Sequence, residues 1–351
     1  MEERSVKCPQ RCIGLDLGDQ ASSWCELGSQ GELVGEGTVE TSREAFTKLW
    51  GSRARTRIVM EATRGTHWVR QCLKALGHEV FVANPRRLDL ITKSSRKTDR
   101  NDARMLARIG RVDLDLLSPV HERSDQSMQT RALVRARSQL VRTRTKLVNQ
   151  IRGTLKVFGY RLPSLSPERF HVRAKALIPE GLHAALLPLF GVLEKLAETI
   201  AGYDEWITAM CERIPQTALL RQIHGVGPLV AACFVTSLED PRRFKDSRAV
   251  GAYLGLVPAS RQSGASDPRL RITKQGDSVL RSLLVTAATH VMRQSAPDCD
   301  LKRYGRRIAR GGTPRDKARA RIAVARKLGC LMHRLWLTGE VYRPLRESSA
   351  T

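Results

Sequence analysis

Long apolar runs are missing from this sequence of 351 residues. The most apolar stretch, Ala184 to Val192, contains Pro188 and Gly191 and is much shorter than the roughly 20 residues that a membrane-spanning helix needs. The first residues, MEERSVKCPQRC, are polar and lack the apolar centre of a secretory signal peptide. No lipidation motif or amphipathic anchor is recognisable. We therefore expect a cytoplasmic protein with no membrane partner.

Paired cysteine motifs and aromatic clusters are also missing. The eight cysteines are scattered, and no CxxC pair is answered by a second pair or by close histidines. This spacing argues against a structural zinc site, and reduced thiols are expected. Only five Trp and five Tyr are present, and they form no obvious stacking platform for single-stranded nucleic acid.

Acidic residues are few relative to basic ones. The chain has 60 Lys and Arg against 35 Asp and Glu, which gives a formal net charge of +25 and a pI near 10.5. Such a surface attracts polyanions, so DNA or RNA is the first partner to expect. The basic stretch 306–327 fits this interpretation, although it would also suit a solvated helix face. A hydrophobic content of 41% is enough for two or three domains with real cores.

The N-terminal third has the pattern of an α/β domain. Three extended runs separated by short turns predict an antiparallel meander: RCIGLDLGD, ASSWCELGS and GELVGEGTVET. They are followed by a helix capped by Ser42, the strand TRIVMEAT, the helix GTHWVRQCLKALG and the strand EVFVANP. The order β-β-β-α-β-α-β predicts a mixed sheet covered by helices, in a domain spanning residues 1–116.

Helical patterns dominate the rest of the chain. Apolar pairs recur every seven residues between Ser124 and Phe158, which predicts one long helix whose seam packs on a second helix or on a second subunit. With the helices that follow, residues 117–215 form a predicted helical, coiled-coil-like assembly region. Residues 216–351 are predicted to be mainly α-helical. There, the segment QIHGVGPLVAACF resembles a helix-hairpin-helix unit, whose glycines let backbone N–H groups approach a phosphate, or it is a simple turn between helices.

Four carboxylates raise the question of a metal site. Asp16 lies in the apolar strand IGLDLG, and Glu61 ends the strand IVME. Either one alone is explained by solvent or by an arginine partner. Asp99 and Asp102, in KTDRNDARMLA, are three residues apart on one helix face and also suit the cap and first turn of that helix. If the first and fourth strands are neighbours, all four acids meet at one sheet edge.

Such a cluster requires cations. Carboxylates within about 4 to 6 Å of each other repel by several kcal/mol per pair at an effective dielectric constant near 20. Oxygen ligands favour Mg²⁺ or Mn²⁺, and two such ions support phosphoryl transfer. Capping and metal binding are compatible, because Asp99 can cap the helix while Asp102 binds metal.

These motifs resemble the insertion sequence one-ten transposase family. The segments GLDLG, MEATRG and KTDRNDA look like the DEDD tetrad of that family's RuvC-like, RNase H-fold domain. The segments IHGVGP, GAYLGLVP, RQSGASDPRLRITKQGD and VLRSLLVTAA resemble its second domain in the same order. The resemblance implies a DNA recombinase of a mobile element that associates with the nucleoid. It also implies a bridge RNA that selects the DNA, and a homo-oligomer, dimer or tetramer, assembled through the helical middle.

The resemblance further implies a serine nucleophile that forms a covalent phosphoserine link to DNA. The matching position is Ser263, with Ser260 and Ser266 close enough to be alternatives. Nearby arginines suit a phosphate, and a serine hydroxyl needs an activating base or metal. Without the resemblance, Ser263 would be interpreted as a turn residue.

Two other functions fit the same residues. A RuvC-like hydrolytic nuclease, such as a Holliday junction resolvase, would use the four acids with water as the nucleophile. A non-catalytic DNA- or RNA-binding protein would need neither the acids nor Mg²⁺.

Overall fold

The structure is a computed structural model, and it describes residues 10–85, 98–261, 268 and 270–345. Its internal contacts divide the chain into two units, Met1–Glu122 and Arg123–Thr351. The helical middle and the C-terminal region therefore fall within one unit. The finer boundaries at 116 and 215 stay predictions.

The first unit contains a mixed sheet and helices on both of its faces. The strands are β1 (Arg11–Asp16), β2 (Ala21–Gly28), β3 (Leu33–Glu40), β4 (Arg57–Glu61) and β5 (Glu79–Ala83). The helices are α1 (Arg43–Trp50), α2 (Thr66–Ala75) and α3 (Asp99–Val112). As predicted, the side chain of Ser42 caps α1 by accepting a hydrogen bond from the backbone N–H of Ala45.

The sheet has five strands in the order β3-β2-β1-β4-β5. β1 pairs antiparallel with β2, and β2 with β3, which confirms the predicted meander. β1 and β4 are parallel neighbours, with Leu15 opposite Met60, and β4 is parallel to β5. The expected adjacency of the first and fourth strands is therefore present.

Alternating side chains on the parallel strands go to two different cores. Ile13, Leu15, Ile58 and Met60 pack on one face with the buried residues of α1 and α2. Cys12 and Val59 lie on the other face, against Leu106 and Ile109 of α3. This period of two places Asp16 and Glu61 on the face that α3 covers.

Glycine allows α3 to approach the sheet closely. A Cβ atom at Gly14 would lie 1.9 Å from the carbonyl oxygen of Ala103 and 2.4 Å from the backbone nitrogen of Ala107. Near the other end of the helix, a Cβ atom at Gly110 would lie 2.3 Å from Cγ2 of Val59. Helix and strands are thus in backbone contact, which no larger residue at Gly14 would permit.

The second unit is helical. Its helices are α4 (Asp125–Val157), α5 (Phe170–Lys175), α6 (His183–Glu212), α7 (Pro215–Leu220), α8 (Pro228–Leu238), α9 (Ser247–Tyr253), α10 (Ser278–Val291), α11 (Asp300–Ile308) and α12 (Pro314–Thr338). No helix in the described part of the chain has a long enough apolar stretch to cross a membrane.

The long helix predicted between Ser124 and Phe158 is present as α4, which the side chain of Ser124 caps. Its seam packs within the same chain. Val148, Ile151 and Leu155 share a core with Phe190 and Leu193 of α6. Intrachain packing therefore occupies much of the predicted seam, while self-association stays a proposal.

The core of the C-terminal helices surrounds α8, whose side chains are buried on all sides from Val230 to Leu238. α10 and α12 contribute Leu284, Ala288 and Leu328 to the same core. Pro228 is the first residue of α8, as predicted, where a missing N–H costs nothing.

Candidate active site

Asp16 and Glu61 are the last residues of two hydrogen-bonded parallel strands. The register pairs Leu15 with Met60, so the two acids follow at equivalent positions. Both side chains are half-buried. Because alternate residues share a face, both acids lie on the side of the sheet that carries α3.

The direction of α3 brings its first turn to the same edge. Ala103 and Ala107 lie over Gly14, whereas Gly110 lies farther back, over Cys12 and Val59. The guanidinium of Arg57, near the start of β4, donates to the carbonyl of Gly110 at 3.1 Å. The helix therefore runs opposite to β1 and β4, and its N-terminus lies toward their carboxyl ends.

The cap of α3 differs from the expected one. The side chain of Thr98 is the N-cap and accepts a hydrogen bond from the backbone N–H of Asn101 at 3.3 Å. The expectation that Asp99 caps the helix is wrong, because the helix begins one residue earlier and Asp99 is its first residue. The capping hydrogen bond therefore comes from Thr98. Asp102, which precedes Ala103 at the contact with Gly14, is 8% exposed.

The backbone therefore carries Asp16, Glu61 and the Asp99–Asp102 turn to one end of one sheet face. Asp99 is exposed, and the other three are half-buried or buried. Within the described ranges, no three His, Cys, Asp or Glu side chains are gathered closely enough to hold a metal ion as they stand.

The four predicted ligands supply carboxylate oxygen. Cys12 lies on the same sheet face, but burial raises the pKa of its thiol to about 12. Burial also raises the pKa of Cys25, which packs against α3 through Ala103 and Ala107. Both thiols stay protonated and are poor ligands, so the residues fit a hard ion such as Mg²⁺ or Mn²⁺.

Two arginines of α3 are engaged by an acid that the sequence did not single out. Glu36 of β3 accepts hydrogen bonds from Arg104 at 2.7 and 2.8 Å, and it also pairs with Arg100. This bidentate contact fixes the first half of α3 against the meander. In the sequence, Glu36 has no feature that separates it from other polar residues of the edge strand β3. Its contacts with Arg100 and Arg104 are seen only once α3 is packed on the sheet.

Ser263 and its alternative Ser266 lie outside the described residues. Ser260 is described and exposed. The chain on either side of this segment is paired: the N–H of Ala259 donates to the carbonyl of Arg271, and that of Thr273 to the carbonyl of Val257, each at 2.9 Å. The two ends of the serine segment are therefore held together.

The predicted hairpin between helices is a tight turn. Gly225 has φ of +86°, and Gly227 precedes α8 in an extended conformation. The turn lines a surface depression together with His224 and His290. Burial lowers the pKa of His290, and the charges of Arg293 and His224 lower it further. The preceding helix, α7, is only six residues long. Phosphate binding by this turn stays a prediction.

Comparison with known proteins identifies the family. A family model described as "Transposase", of the DEDD type, matches residues 13–159. A second model, "Transposase IS116/IS110/IS902 family", matches residues 217–304. The first match includes all four acids, and the second includes Ser263.

Curated relatives agree over most of the chain. A transposase for insertion sequence element IS1111A of Coxiella burnetii is 28% identical over 95% of this chain and 91% of its own length. A "Probable family 20 transposase" of Pseudomonas aeruginosa is 30% identical over 70% of this chain and 74% of its own length. A transposase for insertion sequence element IS1328 of Yersinia enterocolitica is 28% identical over 80% of this chain and 84% of its own length. Matches that span both units, with acids at the edge of the sheet, lead to one conclusion: the chain belongs to the IS110 family of insertion-sequence transposases, enzymes that act on DNA.

Proposed function

We propose that this transposase cuts and rejoins DNA strands with a carboxylate site in an RNase H-like first unit and a serine nucleophile in the second. The observation that carries the first half is the antiparallel crossing of α3 over β1 and β4, with glycine at the point of contact. It supports a shared role for acids that are far apart in sequence. The match of the DEDD-type family model over the same residues supports it independently.

In this proposal Asp16, Glu61, Asp99 and Asp102 hold Mg²⁺. When bound, the metal would supply positive charge for the oxygens that enter and leave in phosphoryl transfer. The sheet holds Asp16 and Glu61 through backbone hydrogen bonds, while the start of α3 presents the other two acids. Rigid supports of this kind keep ligands within the narrow geometry that octahedral Mg²⁺ requires.

The proposed covalent step uses Ser263. Its hydroxyl loses its proton as the oxygen forms a bond to a DNA phosphorus, and the phosphodiester P–O bond on the opposite side breaks. The departing oxygen takes up a proton, so no proton is gained or lost overall. Attack by a free DNA hydroxyl on the phosphoserine then reverses the process and joins new strands. The bond energy is conserved in the phosphoserine, so rejoining needs no external energy source.

Trapping the intermediate tests this proposal. Labelled DNA carrying the element's end is incubated with Mg²⁺ and with protein that retains its copurifying nucleic acid. The reaction is then denatured, and protein-bound label is counted. Wild type should leave an adduct, whereas Ser263→Ala should leave none. Ser260→Ala and Ser266→Ala serve as matched controls and should retain it.

Other outcomes would favour the alternatives. Cleavage without an adduct, retained in Ser263→Ala but lost in Asp102→Asn, would indicate a hydrolytic nuclease. DNA binding without cleavage, unaffected by Asp16→Asn, would indicate a non-catalytic binding protein. Either result would overturn the covalent mechanism.

Guidance by a bridge RNA and assembly as a homo-oligomer are proposals that rest on the family resemblance and on the basic charge of +25. A discrete structured RNA should copurify with the protein, and sequencing of the bound nucleic acid would reveal it. Recovery of only random cellular RNA fragments would contradict the proposal that a bridge RNA guides the protein.

A further inference from the structure

The long helix α4 is strongly basic, with eight Lys and Arg and a single acid in its 33 residues. Three of these arginines are engaged by acids of the same unit. Arg137 forms a bidentate pair with Asp204 of α6, at 2.5 and 3.0 Å, and Arg144 contacts Glu168 at 3.1 Å. Arg131 pairs with Asp277. Arg137 and Arg144 lie on the side of α4 that packs on α6, whereas Arg131 lies one turn before Arg135 on another side.

Three other basic residues follow Arg131 along its side of α4. Arg135, Arg142 and Lys146 are separated by seven and four residues, which places them on one helix face, roughly opposite Arg137 and Arg144. All three are exposed. Throughout the described residues, no acid forms an ion pair with any of them. Their charge is therefore available to a partner.

This basic face forms one wall of a cleft. Arg135, Gln139 and Arg142 face the residues around the start of α10, Gly276 and Ser278, across a space of about 360 Å³. Gln139 and Ser278 add neutral hydrogen-bond donors to the two guanidinium groups. The lining is thus suited to oxygen acceptors that carry negative charge.

One acid in the wall, Asp277, does not cancel this charge. Its carboxylate is tied to Arg131 at 2.5 Å and accepts hydrogen bonds from the backbone N–H groups of Val279 and Leu280 at 2.9 and 3.2 Å. Burial alone would raise the pKa of Asp277, but the charge of Arg131 and these hydrogen bonds lower it overall. Its negative charge is already matched within the fold, which leaves Arg135 and Arg142 uncompensated.

We propose that the cleft between α4 and the start of α10 binds the phosphate backbone of duplex DNA through Arg135 and Arg142, with Lys146 extending the contact. DNA is the partner that the family establishes, and the charge is complementary. Along the helix, the three residues are offset by about 10 and 6 Å, at about 1.5 Å per residue. Those offsets correspond to about three and two nucleotides of one strand, at an axial rise of about 3.4 Å each. The proposal concerns DNA binding by this cleft and is independent of the mechanism of strand cleavage.

The salt dependence of binding measures phosphate contacts directly. Affinity for a fluorescent DNA duplex is determined by anisotropy over a series of NaCl concentrations with the full chain. The slope of log K against log[salt] is negative, and each phosphate contact contributes about −0.9 to it. Arg142→Gln should therefore make the slope shallower by about 1, and the double variant Arg135→Gln/Arg142→Gln should make it shallower by about 2. Arg142→Lys should retain most of the slope.

Lys195→Gln is the matched control. It removes one charge from an exposed helical position of the same unit, where Lys195 pairs with Glu198 outside the cleft, and the slope should stay at the wild-type value. Thermal unfolding should show that Arg142→Gln folds normally, since its side chain is exposed. A slope that is unchanged in the double variant would overturn the proposal, as would a loss of slope in Lys195→Gln equal to that in Arg142→Gln. A loss of slope with duplex RNA but not with duplex DNA would overturn it as well.

Discussion

At the scale of single residues, Asp277 joins two long helices of the second unit. Its carboxylate caps α10 and pairs with Arg131 of α4, whose guanidinium also contacts the hydroxyl of Ser237. The side chains of Arg131 and Asp277 are only 8% and 10% exposed. A pair so little exposed to solvent is far more sensitive to the loss of one member than a surface pair.

Asp277→Asn should destabilise the second unit by about 3 to 5 kcal/mol near neutral pH, because the charge of Arg131 is left buried without its partner. Urea unfolding measures this change. Glu198→Gln, which breaks the exposed pair with Lys195, is the control and should cost at most about 1 kcal/mol.

Acid should remove the difference between wild type and Asp277→Asn. The pKa of Asp277 is lowered in the folded state, so its contribution is complete above the ordinary Asp value of about 3.9 and is lost as pH falls through the lowered value. The two proteins should therefore begin to converge in stability below about pH 4 and should become equal once the pH is below the lowered pKa of Asp277. A difference that persists unchanged in acid would contradict the assigned pair.

At the scale of elements, the crossing of α3 over β1 positions the candidate site. The contact depends on Gly14, because a Cβ atom there would overlap the backbone of Ala103 and Ala107. Backbone cannot move aside as a flexible side chain can, so any larger residue must push α3 away from the sheet.

Gly14→Ala should lower the free energy of unfolding of the first unit by about 1 to 3 kcal/mol or more, as expected for overpacking, and should reduce strand cleavage. Gly65→Ala is the control in the same unit, since its Cβ atom would meet Trp68 only at an ordinary 3.5 Å. Equal stability of the two variants in urea would show that α3 does not pack on Gly14 as described.

Local patterns predicted most elements but not how they meet. The meander and the Ser42 cap follow from strand periodicity and turn chemistry, whereas the adjacency of β1 and β4 entered the sequence analysis only as a condition for grouping the four acids. Thr98 was missed as the cap because Asp99 has equal capping chemistry one residue later, and local sequence cannot choose between them. The partner of the α4 seam was left open because an apolar stripe fits a helix of the same chain or of another.

At the scale of the whole molecule, the net charge and the family both indicate DNA as the partner. A net charge of +25 predicted a polyanionic partner, and the family matches cover segments of both units. The grouping of the four acids could be proposed from sequence only by combining strand order with the resemblance. Their shared sheet face depends on the direction of α3, which no local pattern specifies.

The central claim is that acids distant in sequence form one metal site, and calorimetric titration with Mn²⁺ tests it most directly. Wild type should bind Mn²⁺, and Glu61→Gln and Asp102→Asn should each weaken binding by more than about tenfold, since even outer-shell changes cost about 10- to 100-fold. Asp115→Asn is the control. It also removes one negative charge, but beyond the C-terminal end of α3, about 20 Å along the helix from the four acids, and it should bind Mn²⁺ like wild type. Equal Mn²⁺ affinity in all four proteins would contradict the account.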